Sequence, residues 1–106
     1  MELYHEIRAE AYVLILAGLI DECDAGEIRQ AFQKAVQSRL DTIIVDCHML
    51  ATISPACIGI FLSNLPLIRD KGVRLTFEGL SASSRQVFLG MGLEEMLQAS
   101  DTSFAV

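Results

Sequence analysis

The chain has 106 residues, enough to close one hydrophobic core without disulfide or metal staples and too few for two domains. Its 8 Lys and Arg stand against 14 Asp and Glu, a net charge of −6 with no basic cluster, which argues against nucleic acid or an anionic membrane surface as the main partner. An acidic surface of this kind suits a protein partner that carries basic patches.

Met1 to Glu6 is polar, so no signal peptide is expected, and Leu3, His5, Ile7 and Ala9 alternate with Tyr4, Glu6, Arg8 and Glu10 in the period of a strand with one wet face. Ala11 to Ala17 is continuously apolar, the pattern of a strand covered on both faces. The longest apolar run, Ala11 to Ile20, falls well short of the roughly 18 residues of a membrane span. Asp24 followed by Glu27 reads as a capping box, and Ile28, Ala31, Phe32, Ala35 and Val36 share one helical face, which predicts a helix over 25–38. Ile43, Ile44 and Val45 form the next buried strand.

Ser54 is a natural N-cap and Pro55 a natural first helical residue. A second helix therefore starts there and runs toward Lys71, with Ile58, Phe61, Leu62, Leu65 and Ile68 inward and Gly72 as its terminator. Pro66 falls inside it, removes a backbone hydrogen bond and predicts a kink or break near Leu65. Val73, Leu75 and Phe77 alternate in a further strand. A last helix near 83–91 carries Val87, Phe88 and Met91 and stops at Gly92, and Leu93 to Leu97 leave room for a short final turn or helix.

The order of strands and helices predicts an α/β domain: a mixed, mostly parallel β-sheet whose first strand pairs as a hairpin arm, with helices packed against it. Its expected core is Ile28, Phe32, Val36, Ile44, Ile58, Phe61, Leu65, Leu75 and Phe88.

Little in the chain points to catalysis. Asp46, His48 and Ser54 lie on one strand-loop segment with no oxyanion-hole glycines beside the serine, which speaks against a hydrolase triad. The seven glycines are scattered singly, so no phosphate-binding loop is expected, and His5 and His48 have no partners spaced as metal ligands. Cys23, Cys47 and Cys57 are odd in number and lack Cys-x-x-Cys spacing, which favours reduced thiols in a cytoplasm over a disulfide framework or zinc site. Cys57, near a helix start, could act as a redox thiol or simply pack. No catalytic residue, metal or cofactor is expected.

Residues 42–59 carry the most specific pattern, because an apolar strand through Asp46 runs into a loop that launches a helix at Ser54. This stretch resembles the signature of the STAS family, the anti-sigma factor antagonists, in which an apolar residue precedes Asp-Ser-Ser-Gly-Leu-Gly. Ile53 takes the apolar position, and Ser54, Pro55, Ala56, Cys57, Ile58 and Gly59 take the other six. Leu16-Ala17-Gly18-Leu19-Ile20-Asp21 is similar to the family's turn after the second strand, and Gly79-Leu80 through Val87-Phe88 to Met91-Gly92-Leu93 to its closing helical segment.

The resemblance implies one STAS-like domain over residues 1–106, acting as a non-enzymatic interaction module in a bacterial cytoplasm. It would dock an anti-sigma factor or kinase-fold protein through Asp21 and the face at Ile53, Ser54, Pro55, Ala56 and Cys57, and so regulate transcription or signalling. The serine that a kinase phosphorylates in switching members falls on Pro55 and the next on Ala56, neither of which accepts phosphate. The usual switch is then absent, unless Ser54 serves as a shifted phosphosite rather than only as a cap. An accessory subunit of a transporter ATPase or signalling scaffold is the alternative, with a Cys57-based redox protein behind it. Whether the chain forms a homodimer is left open.

Overall fold

In the computed structural model, which describes residues 1–51 and 53–93, a turn at Ala9 and Glu10 folds the first two strands into a hairpin. β1 (Glu2–Arg8) pairs antiparallel with β2 (Ala11–Gly18), β3 (Thr42–Leu50) runs parallel to β2, and β4 (Arg74–Glu78) runs parallel to β3. The sheet order is β1-β2-β3-β4, the mixed, mostly parallel sheet expected. Helix α1 (Ala25–Gln37) connects β2 to β3, α2 (Pro55–Leu62) and α3 (Leu65–Asp70) connect β3 to β4, and α4 (Ala82–Gly90) follows. No helix among the described residues is long and apolar enough to cross a membrane.

Tyr12, Leu14, Leu16, Ile43, Val45, Cys47 and Phe77 on one face of the sheet meet Ile28, Phe32, Ile58, Phe61, Ile68 and Phe88 from the four helices. Four phenylalanines run through this core edge to face. Ring centroids lie 6.3 Å apart for Phe32 and Phe61, 5.2 Å for Phe61 and Phe77, and 5.0 Å for Phe77 and Phe88. Edge-to-face contact sets the positive rim of one ring on the negative face of the next.

Of the expected core, Ile28, Phe32, Ile58, Phe61 and Phe88 are buried, while Val36, Leu65 and Leu75 are half-buried against the cluster. Ile44 departs from expectation. Successive strand residues point to opposite faces, so with Ile43 and Val45 turned to the helices Ile44 faces away from them and stays half-exposed. Met91 is 40% exposed, just past the end of α4. The expected burial of β2 on both faces is largely met: the described helices pack on the face of Tyr12, Leu14 and Leu16, and on the other face Ala11 and Val13 are buried and Ile15 and Ala17 half-buried. Val13, on the other face, is buried between its register neighbours Glu6 and Ile44.

The start of α1 differs from the sequence reading as well. Asp21 Oδ1 accepts the Cys23 N–H at 2.8 Å and Asp24 Oδ2 accepts the Asp21 N–H at 2.9 Å, a capping box on a 3-10 turn (Glu22–Asp24) that precedes the helix. Asp24 is engaged there and makes no side-chain cap for α1. The break near Pro66 is present: α2 ends at Leu62, and Pro66 lies in the first turn of α3, where a missing N–H forfeits no helical bond. Gly72, at φ 69, stops α3, with the Val73 N–H donating to the Ile68 carbonyl at 3.3 Å. The final turn or helix expected over 93–97 lies, beyond Leu93, outside the described residues.

Candidate functional site

The loops after β2 and β3 meet at one end of the sheet. The Ala51 N–H donates to the Gly18 carbonyl at 2.9 Å, which holds the two strand ends together. From Gly18, at φ 88, the chain passes through Leu19, 70% exposed, to Asp21, whose carboxylate caps the 3-10 turn. On the other side, Ile53 is buried and its N–H donates to Ser84 Oγ at 3.1 Å, a buried hydroxyl on α4. Ile53 therefore supports the loop from beneath, its side chain turned away from the surface.

Ser54, in extended backbone at φ −87 and ψ 162, caps α2: its Oγ accepts the Cys57 N–H at 3.3 Å and lies 3.3 Å from Cys57 Sγ. Cys57 Sγ in turn donates to the Ile20 carbonyl at 3.1 Å, across 37 positions of sequence. That bond ties the first turn of α2 to the loop that carries Asp21. Asp21, Ser54, Pro55 and Ala56 are thus brought to one exposed surface, with Cys57 half-buried beneath them.

Leu19 completes this surface as its most exposed apolar side chain, and sequence reasoning did not single it out. Its signal was an apolar residue placed directly after a turn glycine. Ser84 was also missed, because within Ser81-Ala82-Ser83-Ser84 nothing local distinguishes a buried hydroxyl from a solvated one. The carboxylates of Asp21, Glu22 and Asp24 make the loop acidic. The start of α2 carries the partial positive charge of the helix dipole, although Pro55 has no N–H and the Cys57 N–H is capped by Ser54. Replacing Ser54 by Ala should cost about 1 kcal/mol, the usual value of an N-cap, read as a lowered denaturant midpoint with unchanged slope.

Asp46, His48 and Ser54 are divided between two bonding groups. His48 Nδ1 is hydrogen-bonded to Asp46 Oδ1, whereas the Ser54 hydroxyl is engaged with Cys57. No group of three His, Cys, Asp or Glu among the described residues could hold a metal ion.

The three cysteines are free thiols in different settings: Cys23 exposed, Cys57 half-buried, Cys47 buried. Burial, with Asp46 nearby, pushes the Cys47 thiol far above its ordinary range. Iodoacetamide should therefore label Cys23 first in the native protein and Cys47 only after unfolding, as read by peptide mass mapping. Labelling of Cys57 ahead of the exposed Cys23 would instead favour thiol chemistry at this site.

The family model described as "Mlab, STAS domain" matches residues 5–98. No curated protein matches the chain in sequence. Among solved structures, the anti-sigma factor antagonist SpoIIAA in its unphosphorylated form is 20% identical with a TM-score of 0.76, covering 99% of this chain and 98% of that one. The Bacillus cell fate determinant SpoIIAA in the phosphorylated form is 23% identical with a TM-score of 0.71, covering 91% and 88%. An anti-sigma factor antagonist from Mycobacterium paratuberculosis is 14% identical with a TM-score of 0.75, covering 91% and 81%. At these identities the structural likeness speaks to the fold.

Proposed function

The chain belongs to the STAS domain family, and from that premise we propose that it is a non-enzymatic interaction module that docks a protein partner of the anti-sigma factor or kinase-fold type. The observation that carries this reading is the Cys57 to Ile20 bond, which ties the loop that carries the exposed Leu19 and Asp21 to the helix start that carries the exposed Ser54, Pro55 and Ala56. A fitting partner presents an apolar socket for Leu19 and basic side chains opposite Asp21, Glu22 and Asp24.

Docking on this surface is constitutive in our reading. SpoIIAA has been solved in phosphorylated and unphosphorylated forms, whereas Pro55 and Ala56 offer no acceptor hydroxyl and Ser54 Oγ serves as a helix cap. A module without a switch also suits an accessory subunit of a transporter ATPase or signalling scaffold. Co-purification from the native cell, with partners identified by mass spectrometry, separates these roles.

Ala56→Arg and Asp21→Arg should abolish co-purification of the partner while leaving the circular dichroism spectrum intact. Ala56 is the cleaner probe, because Asp21 also caps the turn. Unchanged affinity in both variants would move the interface elsewhere. Incubation with a co-purified kinase and ATP should leave the mass of the segment 53–69 unchanged, and one added phosphate on Ser54 would restore a switch shifted by a residue. In the unswitched case, Pro55→Ser tests whether only the acceptor was lost, provided that helicity is retained.

A further inference from the structure

Among the described residues, strand β1 forms one edge of the sheet, bordered by β2 alone. Its register sets Leu3, His5 and Ile7 on the helix side, opposite Leu16, Leu14 and Tyr12, and Glu2, Tyr4, Glu6 and Arg8 on the other side. Ile7 is 65% exposed and Tyr4 47% exposed, so this edge combines an open backbone row with uncovered apolar side chains. We propose that β1 pairs antiparallel with β1 of a second copy of this chain, about a two-fold axis through His5, joining two four-stranded sheets into one.

The register follows from charge. A two-fold axis normal to the sheet sets residues of the same face opposite one another. Centred on His5, it places Glu2 of each copy opposite Arg8 of the other, Leu3 opposite Ile7, and Tyr4 opposite Glu6. Two opposite-charge pairs form on one side. On the helix side, Ile7 gains apolar cover from Leu3 of the second copy, which already packs against its own core. Moving the axis to Tyr4 sets Glu2 against Glu6 twice, and moving it to Glu6 sets that carboxylate against itself. Like charges directly opposite are unfavourable, so among these neighbouring registers only the one through His5 is complementary. Arg8, bonded at 2.7 Å to Glu6 of its own strand, would then lie between two carboxylates.

Sedimentation velocity of the full chain at low ionic strength should show a reversible, concentration-dependent monomer–dimer equilibrium. Arg8→Glu should weaken the dimer about tenfold by setting like charges opposite twice, and adding Glu2→Arg should restore it by reversing both pairs. Both positions are exposed, and circular dichroism checks that the fold is kept. In a Cys23→Ser background, His5→Cys should form an intermolecular disulfide on mild oxidation, because facing strand positions lie about 4.5–5.5 Å apart. Tyr4→Cys should cross-link far less. A wild-type chain that stays monomeric, a double variant no tighter than Arg8→Glu, or equal cross-linking from both cysteines would overturn the proposal.

Discussion

Truncating Phe61 to Ala should lower the unfolding free energy by about 3–5 kcal/mol, the range for emptying a fully packed aromatic site. The ring is 2% exposed and stands between Phe32 and Phe77, so its loss opens a cavity and removes two edge-to-face contacts at once. Small domains have only about 5–15 kcal/mol in total, so this single change consumes a large share of the stability. Phe32→Ala, at one end of the same row, should fall in the same range. Urea denaturation checks both: the midpoint should fall with an unchanged slope, and a midpoint like that of the wild type would place these rings outside the core.

The second large effect is expected at Gly79→Ala, for a different reason. Gly79 follows β4 at φ 73, and a Cβ built there would lie 2.7 Å from His48 Cβ and 2.8 Å from the His48 backbone nitrogen. Alanine thus meets the left-handed penalty of about 1–2 kcal/mol and also pushes against β3, where backbone cannot swing aside. A loss of about 2–4 kcal/mol is expected. Gly72→Ala is the control, because Gly72 has φ 69 and open space around its Cβ position. It should cost only the backbone term. Equal losses at the two glycines would show that the contact with His48 carries no energy.

Much of the fold was legible because its signals are local. The helical face of α1 lies within 25–38, Ser54-Pro55 announces α2, Pro66 announces the break before α3, and Gly72 announces its stop. Each is a propensity or cap decided by residues within one turn of the position concerned. The errors came where two local readings compete. Asp24 with Glu27 has the spacing of a capping box, yet so does Asp21 with Asp24, and the 3-10 turn took the second. Ile43, Ile44 and Val45 read alike until strand alternation and a helix layer on one face separate them.

The sequence by itself determined the class of fold, the burial of most core positions and the absence of hydroxyls at Pro55 and Ala56, since hydrophobic period, caps and covalent identity are written residue by residue. Only the tertiary structure decided that Cys57 reaches the Ile20 carbonyl, that Ile53 hangs from Ser84, and that Leu19 stands exposed. It also decided which strand is left at the edge with Ile7 uncovered. These are contacts between residues tens of positions apart, set by which strands lie side by side and where the crossover helices land, and no window of neighbouring residues contains that information.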